Sequence, residues 1–190
     1  TEDTLVSTQN LRLGVLRLQE LLNHLNAGST QMERLVDELA TAQLDDYKKL
    51  YLKDREIKNI IIVDDYLSPW AVRKAHERGE VNAVVDRKAF SQLMEALRTK
   101  GTTELAKRMD IAEEKVPLVY ISAILTRRIA ELMGAELVWA PGVTLCDGIA
   151  YEYAEQNKMF RGEHDFAEDI IACALNISKR YNGSSKRADT

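Results

Sequence analysis

Ile57-Lys58-Asn59-Ile60-Ile61-Ile62-Val63-Asp64-Asp65-Tyr66-Leu67-Ser68-Pro69 is the stretch on which the fold turns. Its first half is short, β-branched and almost wholly apolar, the pattern of a strand buried on both faces of a sheet. Two acids and an aromatic then form a turn. Ser68 followed by Pro69 is a helix-start signal, with the serine as cap and proline at the first helical position. A strand, a tight turn and a helix are therefore predicted in that order. The same order returns at Glu136-Leu137-Val138-Trp139-Ala140, where Pro141-Gly142 makes the turn and Asp147-Gly148 leads into a helix to about Asn157. Two such units predict an α/β layer architecture, in which ligands bind beyond the carboxyl ends of the strands. The places to look for function are residues 64–70 and 141–148.

Outward from this centre the pattern is mostly helical. Towards the N-terminus, Leu5, Leu11, Leu13, Val15 and Leu16 fit one or two short strands before Leu18, Leu21, Leu22 and Leu25 take up helical spacing. A second helix is predicted from about Gln31 to Tyr51, with Met32, Leu35, Val36 and Leu39 on one face. Towards the C-terminus, Asp86 starts a helix carrying Phe90, Leu93, Met94 and Leu97, and a short helix follows from Thr102 or Thr103. A longer helix runs from Pro117 to a C-terminal signal at Met133-Gly134. A last helix is predicted over Phe166 to Tyr181.

Composition narrows the function classes. With 26 Lys+Arg against 30 Asp+Glu, the 190-residue chain has a formal charge of 26 − 30 = −4, and 45% of it is hydrophobic. This is a globular balance with a real core, and it gives no general pull towards nucleic acid or an acidic membrane surface. No DNA or membrane partner is expected. The two cysteines, Cys146 and Cys173, cannot form a disulfide framework, and His24, His76 and His164 lack metal-ligand spacing. Nothing marks export or a membrane span, so a cytoplasmic protein is expected. The absence of a starting Met suggests a piece of a longer protein.

At the first turn, the Asp64 and Asp65 carboxylates can hold a divalent cation or orient a water, or can simply serve the turn. Ser68 can offer its hydroxyl to a phosphate at the helix N-terminus, or cap the helix. At the second turn, Gly148 either lets backbone approach a ligand closely or allows tight packing. Cys146 has no neighbouring base to make it a nucleophile. Neither a Walker loop nor a dinucleotide fingerprint occurs.

The order of segments is itself informative. Leu11-Arg12-Leu13-Gly14-Val15-Leu16-Arg17-Leu18, Arg87-Lys88-Ala89-Phe90-Ser91-Gln92-Leu93, and Thr103-Glu104-Leu105-Ala106-Lys107-Arg108 succeed one another. Glu113 to Pro117, Met133 to Leu137 and Thr144-Leu145-Cys146-Asp147-Gly148-Ile149-Ala150-Tyr151 continue the series. Together they resemble the second lobe of the exopolyphosphatase / guanosine pentaphosphate phosphatase family over about Leu5 to Gln156. The resemblance implies a ribonuclease-H-like, actin-like lobe with a mixed central sheet and flanking helices over residues 1–157. A linker at 158–165 and the first helix of an HD-like helical domain at 166–190 would follow. It implies hydrolysis of a phosphoanhydride, polyphosphate or guanosine pentaphosphate, with Mg²⁺ and an activated water, and leaves a homodimer possible.

Carried onto this chain, the resemblance puts Ser68 and Gly148 near phosphate and Asp64 and Asp65 near metal, with the catalytic Glu in a first lobe outside this sequence. The chain departs from the family at two loops. Val63 to Pro69 stands where the family has a glycine-rich loop, and Leu145-Cys146-Asp147-Gly148 where it has Leu-Arg-Glu-Gly. A fragment inactive by itself is expected, and a catalytically silent regulatory or interaction module is the alternative.

Overall fold

The computed structural model describes residues 7–26, 28–52, 55–160 and 166–180. The chain divides into two compact units, one of Leu11–Gly148 and one of Thr1–Asn10 with Ile149–Thr190. The larger unit is α/β: six helices and three short strands, β1 (Asn59–Ile61), β2 (Val84–Asp86) and β3 (Leu137–Trp139).

Helix α6 (Val116–Met133) organises this unit. Its sequence is apolar nearly all round, which is tenable only for a helix surrounded by protein. Val116, Val119, Tyr120, Ile121, Ser122, Ala123, Ile124 and Thr126 are all buried. Around it pack α1 (Val15–His24), α2 (Ser29–Tyr47), α3 (Leu67–Glu77), α4 (Arg87–Thr99) and α5 (Thr102–Met109). Gly134 ends α6 at φ 72°, the left-handed geometry that favours glycine, and Lys48 donates to the Leu132 carbonyl at 2.9 Å.

Polar ties bind α2 to the same centre. The Arg98 guanidinium of α4 forks onto Glu33 at 2.9 and 2.7 Å, and the Tyr120 hydroxyl donates to Glu33 at 2.8 Å. Burial alone would raise the Glu33 carboxyl, but the hydrogen bonds from Arg98 and Tyr120 outweigh it and hold the group below its usual value. Burial and then the bond to Glu33 push the Tyr120 phenol up to about 12. Arg127 reaches Asp37 at 3.1 Å and Glu131 at 3.1 Å.

The sheet order is β1-β3-β2. β1 runs parallel to β3, with Ile61 opposite Trp139, and β2 runs antiparallel to β3, with Val84 opposite Trp139. The mixed sheet agrees with the coarse architecture read from sequence, and several details are corrected. No strand forms over the described part of the N-terminal segment; α1 starts at Val15 because Leu18 and Leu22 are the buried positions, while Leu16 and Leu21 face solvent. Residues 1–6, the rest of that expected strand region, lie outside the described residues. The central run is not buried on both faces: Ile61 is 70% and Val63 55% exposed, because Ile60 and Ile62 alone face the helical core. β2 was not foreseen, because its last residue, Asp86, is also the cap of α4 and reads as a helix start.

In the smaller unit, α7 (Leu145–Gln156) enters from the larger one at Ile149, and the Tyr151 and Phe160 rings meet at 4.6 Å, tilted by 60°. Helix α8 (Phe166–Arg180) occupies the expected last helix. Residues 161–165, most of the expected linker, and 181–190 lie outside the described residues.

Candidate functional site

Because β1 and β3 are parallel neighbours, the turns that follow them leave the sheet at the same edge. The ladder continues one step past β1, where Ile62 N–H donates to the Trp139 carbonyl at 2.8 Å. Residues 63–70 and 140–148 therefore emerge side by side, beyond the carboxyl ends of the two parallel strands, the end at which open α/β sheets bind ligands. On the outer face, the Trp139 indole donates to Asn59 at 3.0 Å and fixes the two strands together.

The first turn is built around Asp64. One carboxylate oxygen accepts the Ser68 N–H at 2.7 Å, and the other accepts the Leu67 N–H at 3.0 Å and the Ser122 hydroxyl of α6 at 2.6 Å. Asp64 is thus the cap of α3, a role the sequence reading gave to Ser68. Ser68 lies inside the helix, 2% exposed, and its hydroxyl donates to the Ile62 carbonyl at 3.3 Å. The consequence for anion binding is direct. An α-helix N-terminus attracts phosphate through its free N–H groups. In α3, the Leu67 and Ser68 N–H groups are taken by Asp64, and Pro69 has none. Neither the Ser68 hydroxyl nor this helix end faces an incoming phosphate.

The cation reading of Asp64 and Asp65 meets a similar obstacle. Asp64 already accepts three hydrogen bonds, which occupy most of its acceptor capacity and leave room for little more than one further contact on Oδ1. Asp65 is exposed and supplies a single carboxylate. No group of three or more His, Cys, Asp or Glu side chains is placed to hold a metal among the described residues.

Beside this turn lies a groove of about 190 Å³ lined by Asp65, Tyr66, Trp70, Arg73, Asp110 and Lys115, among others. Arg73 donates to the Met109 carbonyl at the end of α5, where Asp110 adopts φ 51°. The sequence reading missed these two cations. Their one signal was spacing: Arg73 follows Pro69 by four residues and so shares its helix face.

The second turn is closed by a different glycine from the one singled out in the sequence. Gly142 has φ 75°, and a Cβ there would lie 3.0 Å from Val72 Cγ2 of α3, so the chain needs glycine for both conformation and space. Gly148 sits in the first turn of α7, exposed, with open space around its Cβ position. No close approach depends on it. Thr144 and Asp147 form the start of α7: the Thr144 N–H and hydroxyl both donate to one Asp147 oxygen, at 2.7 and 2.8 Å. The backbone bond from Thr144, then the hydroxyl bond, lower the Asp147 carboxyl below its ordinary value. Cys146 is exposed.

No protein-family model matches the chain, and no curated protein is significantly similar to it. Among the described residues, no helix is long and apolar enough to cross a membrane.

Proposed function

We propose that the Leu11–Gly148 unit is one ribonuclease-H-like lobe of a phosphoanhydride-hydrolysing domain similar to the exopolyphosphatase / guanosine pentaphosphate phosphatase family, and that the chain has no hydrolase activity by itself. The reading rests on the order of sequence segments. A parallel β1–β3 pair whose turns share one edge is compatible with such a lobe, and Arg73 and Lys115 supply positive charge at that edge. The observation that carries the second half of the proposal is the occupied α3 N-terminus. With the Leu67 and Ser68 N–H groups bound to Asp64 and no N–H on Pro69, this turn cannot wrap a phosphate. A polyphosphate or guanosine pentaphosphate chain would meet side-chain cations here, and its backbone donors and catalytic carboxylate would belong to another lobe. The same observation favours a second reading, in which the assembled protein is a silent phosphatase-like regulatory module.

Phosphate release from polyphosphate and guanosine pentaphosphate in Mg²⁺ tests both. The 190-residue chain is expected to release none, and the longest natural form of the protein is expected to release it. Turnover by the chain that is lost in Asp65→Ala would overturn the one-lobe reading. A folded longest form without turnover would select the silent module.

A further inference from the structure

At the end of the sheet away from the Pro141–Gly142 turn, a groove of about 550 Å³ opens between α4, α6 and the β2–β3 ladder. Its floor is apolar, made of the buried side chains of Phe90, Met94 and Val138. Three guanidiniums, Arg87, Arg98 and Arg127, line it with the Ser91 hydroxyl. An apolar floor with a few converging polar groups is the usual make-up of a small-molecule site.

The charges are unevenly spent. Arg98 gives Nε and Nη2 to Glu33, and Arg127 gives its two terminal nitrogens to Asp37 and Glu131. These pairs fix both guanidiniums and cancel most of their charge. Arg87 makes no ion pair or side-chain hydrogen bond among the described residues. The β2–β3 ladder ends where Asp86 faces Leu137, Arg87 opens α4 directly after it, and the Glu136 carboxylate also lines the groove. One uncommitted guanidinium, in a groove whose Arg98 and Arg127 are already paired and whose lining also carries the Glu136 carboxylate, suits a single negative charge better than a polyanion.

We propose that this groove binds a small organic monocarboxylate with an apolar body, the carboxylate on Arg87 and the body on the Phe90–Met94–Val138 floor. The site is separate from the edge at 63–70 and 140–148 and does not depend on the phosphatase reading. Bound there, such an acid bridges α4 and α6, the helices that Arg98 and Tyr120 tie to α2.

Hydrocinnamate is a suitable probe, followed by two-dimensional amide NMR on the whole chain. Saturable shifts at Ser91, Ala130, Ala135 and Glu136 are expected, with a dissociation constant on the order of 1 mM for so small a ligand. Arg87→Ala, at an exposed position, should leave the fold intact and weaken binding about ten-fold, and Arg87→Lys should recover part of it. The uncharged analogue hydrocinnamyl alcohol should bind no better than hydrocinnamate does to Arg87→Ala. The proposal is overturned if hydrocinnamate gives no saturable shifts or the alcohol matches it. It is also overturned if the shifts fall at 64–70, or if tripolyphosphate occupies the same groove more tightly.

Discussion

The turn after β1 and the turn after β3 each lead into a helix whose start is held by an aspartate, and the two are held differently. Asp64, ahead of α3, accepts the Leu67 and Ser68 N–H groups and the Ser122 hydroxyl from the centre of α6, while Asp147, inside the first turn of α7, reaches back to the N–H and hydroxyl of Thr144 just before the helix. The first cap is part of the core; the second is a local device on the surface. Capping by a carboxylate consumes the N–H groups that would otherwise attract phosphate, so the better a turn is capped, the less it offers an anion. Rigidity and phosphate affinity compete at the same atoms, and at Asp64 rigidity has won.

Removing that carboxylate is the strongest way to break the comparison. Asp64→Ala leaves the Leu67 and Ser68 N–H groups and the Ser122 hydroxyl without their acceptor. It should cost about 2–3 kcal/mol, read as a lower urea midpoint with an unchanged slope. A loss as small as that of an exposed cap would mean that the two turns are equivalent. The next largest effect belongs to the second turn but not to its acid. Gly142→Ala puts a side chain at φ 75° and a Cβ 3.0 Å from Val72, and should cost about 1–2 kcal/mol in the same measurement. If Gly142→Ala is neutral, the β3 turn owes nothing to α3.

What the sequence disclosed follows from the same contrast between core-driven and local features. Helix α6 was legible because apolar residues recur at helical spacing after Pro117, and Gly134 marked its end. β3 was legible from Leu137 to Trp139. The sheet's outer face was not: the run Ile60-Ile61-Ile62-Val63 is as apolar as an interior strand, and only the structure reveals that Ile61 and Val63 point away from the helices. β2 stayed hidden because Val84-Val85-Asp86 runs straight into α4, and Asp86 reads as the start of that helix. At the site, the turn role open to Asp64 is the one its hydrogen bonds show, but Ser68-Pro69 is so familiar a cap signature that it masked Asp64 as the acceptor four residues earlier. Gly148 drew attention through a motif, whereas Gly142 is the glycine with a conformational reason. Arg73 and Lys115 come together only in three dimensions, from segments more than 40 residues apart.

Ser122→Ala isolates the link to the core. It deletes one hydrogen bond to Asp64 and leaves the two backbone donors in place, so a loss of about 1 kcal/mol is expected. Paired with Asp64→Ala in a double-mutant cycle, it should show non-additivity, since both changes remove the same contact. Additive losses would mean that the Asp64 cap works locally, as the Asp147 cap does.

The smallest effect is acid sensitivity at the start of α7. The Asp147 carboxyl is lowered by the backbone and hydroxyl bonds from Thr144, so its charged form is favoured in the fold. A group with a folded value below its unfolded one contributes stability above the unfolded value and loses it as pH falls through the folded value. Near neutral pH the contribution is therefore complete, and it disappears below the ordinary aspartate range. The side chain is exposed, so solvent screens the effect, and the outcome is fraying of one helix end, not unfolding of the unit. Amide exchange is the suitable readout. The protection factor (exchange relative to the intrinsic rate at each pH) at Thr144 and through the first turn of α7 should fall on acidification more than in a pH-matched Asp147→Asn variant, while α3 behind Asp64 keeps its protection in both proteins. Equal loss of protection at α3 and α7 would show that the two turns open together, and the distinction between a core cap and a surface cap would fall.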